Sequence, residues 1–212
     1  MTLCHHIDFC VAVGKRNESG VKHVALLGGS FNPVHAGHTM LANYLIAYGG
    51  FDEVWMVLSP QNPLKDTAID QPGDFRRWEM LNIALEGATN IRPCDIELYM
   101  PRPSYSIDTL RVLSSRYPSC RFTPVIGADN WLMFERWRSY QAILSEYGVA
   151  VYPRPGFPVD VHTMPEQAVW IDAPVVDISS TWIRSALRQG RDMNYFLPHG
   201  VYKYIMENNL YR

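Results

Sequence analysis

The segment VKHVALLGGSFNPVHAGHTMLANYLIAY, Val21 to Tyr48, decides how the rest of this chain is read. Val21 to Leu27 is a largely apolar run and predicts a buried strand; Thr39 to Tyr48 is apolar-rich and predicts a helix. Between them lies GGSFNPVHAGH, Gly28 to His38. Two glycines at a strand end let a backbone approach a ligand closely, and Pro33 fixes the turn. His35 and His38 are three apart, so they share one face of the opening helical turn. The start of a helix favours anions, because its free amides point outward and its dipole is positive there. The turn is therefore suited to phosphate, with imidazoles as side-chain donors. It lacks the Gly-Lys-Ser/Thr ending of a Walker-A loop and the GxGxxG of a dinucleotide fingerprint.

Outward from this unit, strand and helix patterns alternate. Strands are expected at 22–28, 53–58, 91–98, 121–126, 148–152 and 168–172. Helices are expected at 37–48, 73–87, 106–116, 130–135, 139–146, 180–189 and 198–208. Strands such as VWMVL and GVAVY are apolar throughout, as when both faces of a sheet are covered. The fold class is α/β: a Rossmann-like, doubly wound, mostly parallel sheet with right-handed crossovers. Ligands in such sheets bind beyond the strand C-termini at the switch point, where the glycine–histidine turn belongs. The polar loop 59–72, SPQNPLKDTAIDQP, is long enough to suggest function.

Composition narrows the classes. A chain of 212 residues suits one domain, here 21–212, preceded by a loose N-terminal extension, 1–20. The formal net charge of −2 gives no electrostatic reason to expect nucleic acid. No apolar run is long enough to span a membrane. Cys4, Cys10, Cys94 and Cys120 are scattered, which suits a reducing cytoplasm. Cys4, His5, His6 and Cys10 lack the paired spacing of a structural zinc site.

A second anion site is expected near the C-terminus, in DISSTWIRSALRQG, Asp177 to Gly190. Ser179, Ser180 and Thr181 are of the residue types that cap a helix start. Arg184 falls in or just after the first turn, where a cation opposes the dipole. An anion shared by the amides and the guanidinium would resolve that conflict.

The HAGH turn together with ISSTWIR resembles the adenylyltransferase branch of the HIGH-motif nucleotidyltransferase superfamily. NPLK at 62–65, SYSIDTL at 104–110, GAD at 127–129, Trp137, RPG at 154–156 and LPHGVYKYI at 197–205 resemble the bacterial nicotinate-nucleotide adenylyltransferase family. The similarity covers about residues 22–210. It implies adenylyl transfer from ATP, with Mg²⁺, to nicotinate mononucleotide, giving nicotinate adenine dinucleotide and pyrophosphate for NAD biosynthesis. Transfer is by direct in-line attack without a covalent intermediate. The nucleophile is a phosphate, already anionic at pH 7, so no general base is needed.

By the same resemblance, ATP is held by Gly28, Gly29, Ser30, Phe31, His35, His38, Gly127, Asp129, Ile178, Ser179, Ser180, Thr181 and Arg184. The mononucleotide is held by Ser30, Lys65, Tyr105, Ser106, Thr109, Trp137 and Arg154. His35, His38, Lys65 and Arg184 act on the reacting phosphates, His38 nearest the centre; Trp137 stacks on the pyridine ring. From the residues alone, Asp129 could equally cap a following helix, and Arg154 could brace a loop. Relatives commonly carry Asp where this chain has Asn32, which puts any metal role there in doubt; Mg²⁺ is expected through the ATP phosphates, not on protein ligands. The rival acceptors are nicotinamide mononucleotide and pantetheine phosphate; a different class is a non-catalytic nucleotide sensor. A homo-oligomer is compatible with the sequence.

Overall fold

The computed structural model describes residues 20–60 and 72–212. The expectations for the extension, its Cys/His group and Lys65 therefore lie outside the described residues.

Six strands form one sheet: β1 (Lys22–Gly29), β2 (Glu53–Leu58), β3 (Ile91–Cys94), β4 (Cys120–Gly127), β5 (Val149–Tyr152) and β6 (Ala168–Trp170). Their order is β3-β2-β1-β4-β5-β6 and every neighbouring pair is parallel. The helices are α1 (Ala36–Ala47), α2 (Asp74–Ala84), α3 (Ser106–Arg116), α4 (Ala128–Trp131), α5 (Tyr140–Tyr147), α6 (Ser180–Arg188) and α7 (Val201–Glu207). No helix among the described residues is long and apolar enough to cross a membrane.

Alternation along β1 divides the core. Ala25 and Leu27 pack with Ala42 and Leu45 of α1, Met80 of α2 and Ile183 of α6. Val24 and Leu26 point to the other face, against Ile107, Leu110 and Leu113 of α3 and Ile143 of α5. Burial on both faces explains why these strands read as continuous apolar runs. The winding reverses between β1 and β4, so the loops after these two strands diverge and leave a crevice at their carboxyl ends.

Three expected elements are shorter or different. The strand expected at 91–98 ends at Cys94, and Ile96–Tyr99 is a 3₁₀ turn that buries Ile96 and Glu97. The helix expected at 130–135 is α4 followed by a 3₁₀ turn, Phe134–Arg136. The helix expected at 198–208 begins at Val201, after Gly200 at φ 82. That glycine tolerates the left-handed backbone, which breaks any helix running through it.

Candidate active site

The first wall of the crevice is the turn after β1. Phe31 has φ 42 and a buried ring. The ring covers Gly29, where a Cβ would stand 2.9 Å from it. His35 is the residue before α1, and His38 is the third residue of the helix. The His38 amide donates to the His35 carbonyl at 2.9 Å, and the His35 amide donates to His38 Nδ1 at 3.2 Å. Because Nδ1 accepts, the proton of neutral His38 sits on Nε2. The two rings lie 3.7 Å apart between centroids. A Cβ on Gly37 would come 3.1 Å from His35 Nδ1, so the glycine of HAGH leaves room for that ring. Burial, aided by the Arg154 charge, lowers the His35 pKa to about 4. His35 is thus neutral at pH 7, and its Nδ1 is buried with no partner among the described residues.

The second wall is the start of α6. Ser179 caps it, accepting from the Trp182 amide at 3.2 Å. Ser180 donates to the Pro33 carbonyl at 2.9 Å, and Arg184 Nη1 donates to the Asn32 carbonyl at 2.8 Å. Two segments some 150 residues apart in sequence are thereby fused into one surface. Arg184 Nη2 lies 3.3 Å from Thr181 Oγ1. The guanidinium is therefore not reserved for an anion: one nitrogen fixes the histidine turn. Burial lowers its pKa, but an arginine remains charged. Ile178, just before the cap, packs against the core.

The third wall follows β4. Gly127 has no room for a side chain: a Cβ would stand 2.3 Å from Asp129 Oδ1 and 2.8 Å from Arg154 Cγ. Asp129 does not cap α4. Gly127 holds that position, and Asp129 lies inside the helix. Its Oδ1 is buried without a hydrogen bond, 3.7 Å from Arg154 Nε. Beyond it, Trp131 stacks on Phe134 at 5.4 Å, and Phe134 meets Trp137 at 5.5 Å. Trp137 Nε1 is also buried without a partner.

The remaining expected residues lie around the start of α3. Tyr105 precedes the helix, and Ser106 is its first residue, with no side chain capping the open amides. Thr109 is 3% exposed. Its hydroxyl donates to Glu97 Oε1 at 2.9 Å and its amide to the Tyr105 carbonyl at 3.1 Å. Thr109 therefore braces the loop and does not line it. Ser104 donates to the other Glu97 oxygen at 2.7 Å. Arg138 lies 4.8 Å from the Tyr105 ring and 3.4 Å from Asp108.

Arg77 escapes the sequence reading. It is fully buried and donates to the carbonyls of Ser30 at 2.6 Å, Ser59 at 2.9 Å and Pro60 at 3.3 Å. Asp74 accepts from it at 2.6 Å. One guanidinium thus gathers the loops after β1 and β2. A peptide's C=O and N–H point in opposite directions. Turning the Ser30 carbonyl to Arg77 therefore turns the Phe31 amide the other way. The available signal is spacing: Arg77 is three and four residues before Met80 and Leu81, on the apolar face of α2.

Three side-chain polar atoms are buried without a hydrogen bond among the described residues: His35 Nδ1, Trp137 Nε1 and Asp129 Oδ1, the last facing Arg154 across an ion pair. All belong to residues expected to hold substrate. Buried polar groups normally find hydrogen-bond partners, so these three stand out in the crevice. Among the described residues, no group of three or more His, Cys, Asp or Glu side chains could hold a metal. The donors here are amides, imidazoles and guanidinium groups.

The cytidylyltransferase-like family model matches residues 26–186. The chain is 46% identical over 182 residues to the "Probable nicotinate-nucleotide adenylyltransferase" of Bacteroides fragilis, covering 86% of this chain and 90% of the relative. It is 45% identical to the protein of the same name from Bacteroides thetaiotaomicron, over 90% of this chain and 94% of that one. In structure it is similar to the Plasmodium falciparum nicotinic acid mononucleotide adenylyltransferase complexed with NaAD. There the TM-score is 0.73 at 21% identity, over 90% of this chain and 97% of the other. At that identity the likeness speaks for the fold.

Proposed function

Since the chain belongs to the nicotinate-nucleotide adenylyltransferases of the cytidylyltransferase-like family, we propose that its crevice joins ATP, as its Mg²⁺ complex, to nicotinate mononucleotide. The products are nicotinate adenine dinucleotide and pyrophosphate. The observation that carries the reading is the set of buried polar atoms without a hydrogen bond, on His35 after β1 and on Asp129 and Trp137 after β4.

The mononucleotide phosphate attacks the α-phosphorus of ATP, and the bond to the β-phosphate oxygen breaks. No protein nucleophile intervenes. Catalysis is positioning plus charge stabilisation. The turn amides and His38 Nε2–H face the phosphates, and His35 donates as a neutral imidazole. The amides starting α6 and the remaining donors of Arg184 take the leaving pyrophosphate. Asp129 accepts from the adenosine ribose. The pyridine ring packs on Trp137, with its carboxylate toward the open amides of Ser106 and Ile107. These donors suit an acid better than an amide, whose own NH₂ would be set against them.

The test uses ATP made chiral with sulfur at the α-phosphorus. In-line transfer gives dinucleotide with inverted configuration. Absence of dinucleotide would refute the reaction, and retention would refute the single displacement.

A further inference from the structure

The chain passes α7 and then reverses. Asn209 has φ 52 and Tyr211 φ 62. A left-handed backbone suits asparagine but is an outlier for tyrosine, and such a conformation persists only where its surroundings impose it. What imposes it is burial: Tyr211 is 7% exposed, although it is the next-to-last residue. Its hydroxyl donates to Asn32 Oδ1 at 2.7 Å. Asn32 is itself 4% exposed. Burial raises the Tyr211 pKa, so the hydroxyl remains a proton donor at neutral pH.

Asn32 is the hinge of the site. Its carbonyl accepts from Arg184 at 2.8 Å, and the next carbonyl, Pro33, accepts from Ser180 at 2.9 Å. Two of these three bonds come from the α6 motif. The third comes from Tyr211, outside every motif. Together they fix the turn that leads into His35. Without the hydroxyl, Asn32 Oδ1 is a buried acceptor with no donor. The turn that also carries the Arg184 contact is then held by two of its three bonds.

We infer that Tyr211 is a positioning residue for the ATP half of the reaction, acting through Asn32 on the turn before His35 and on Arg184. This rests on the adenylyl-transfer reading above. Among the described residues, Ser106 and Trp137 on the mononucleotide side make no hydrogen bond to Tyr211 or Asn32.

The test is Tyr211→Phe, which keeps the ring and removes one hydroxyl. KM for ATP and KM for nicotinate mononucleotide are measured separately, well below the melting temperature. An unpaired buried acceptor and a loosened turn predict a rise of about tenfold in KM for ATP. KM for the mononucleotide stays within about twofold. A merely structural role lowers the folded fraction and leaves both KM values alone. The same substitution in an Asn32→Ala background is predicted to add less than a twofold change, because the bond is already gone. If Tyr211→Phe lowers only the melting temperature, or raises both KM values equally, the inference is overturned. If the unmutated protein makes no dinucleotide, the transfer reading fails and this inference falls with it.

Discussion

Gly28→Ala separates a demand of the fold from a demand of the ligand. Nothing lies within 4 Å of a Cβ built on Gly28, and its φ is outside the left-handed region. The folded chain therefore has no need of glycine there. Replacing glycine by alanine at a compatible φ stabilises by about 0.4–1 kcal/mol, because the unfolded chain has less freedom to lose. For a domain of this size that is a rise of roughly 1–4 °C in Tm. The added methyl stands at the carboxyl end of β1, where the account brings the triphosphate against the backbone. A methyl that holds the triphosphate off its preorganised amide donors is expected to cost about as much as losing such a donor, on the order of 10²–10³ in rate. The expected result is an unchanged or slightly raised Tm with kcat/KM for ATP down about a hundredfold. Gly29→Ala serves as the contrast. Its Cβ would stand 2.9 Å from the Phe31 ring, so that variant loses stability as well. Differential scanning calorimetry and a coupled pyrophosphate assay on the two variants decide the matter. A Gly28→Ala protein with kcat/KM near wild type would refute the claim that the nucleotide lies against this backbone.

His38→Ala is expected to lower kcat by about 10²–10³ while changing ATP affinity little, read by steady-state kinetics and calorimetric binding. Arg77→Lys keeps the charge but cannot span three carbonyls and a carboxylate; kcat/KM is expected to fall about tenfold or more, with a measurable loss in Tm. The low pKa of His35 predicts a pH effect on stability. The unfolded imidazole binds a proton below its ordinary value of 6.5, and the folded one only near 4. Stability is therefore fully present above pH 6.5 and falls as pH drops toward 4. At about 1.4 kcal/mol per unit the loss is about 3 kcal/mol. Urea unfolding of wild type and His35→Asn across that range is expected to show the steeper slope in wild type.

What could be read in the sequence was local. The strand–turn–helix of Val21–Tyr48 and the cap of α6 carry their meaning in consecutive residues. β2 and β5 were legible because burial on both faces leaves unbroken apolar runs. Ends were less so. Ile96 looks like a continuation of β3, but Glu97 has to turn inward to meet Ser104 and Thr109. Residue type also misleads where a tertiary partner intervenes. Thr109 has the hydroxyl of a ligand contact, and the fold gives it Glu97 instead. Arg77 looks like half of an i,i+3 surface pair with Asp74, yet its side chain is wholly buried. Tyr211 meets Asn32 across almost the whole chain, and no periodicity encodes such a meeting.

The central claim is that this crevice transfers an adenylyl group to an acid-bearing mononucleotide. The most direct measurement is pyrophosphate release from MgATP with nicotinate mononucleotide and, separately, nicotinamide mononucleotide. The two differ only in carboxylate against carboxamide, the group proposed to face the Ser106 end of α3. The account predicts rapid release with the nicotinate compound and a kcat/KM lower by several orders of magnitude with the amide. Comparable values for the two, or release with neither, would contradict it.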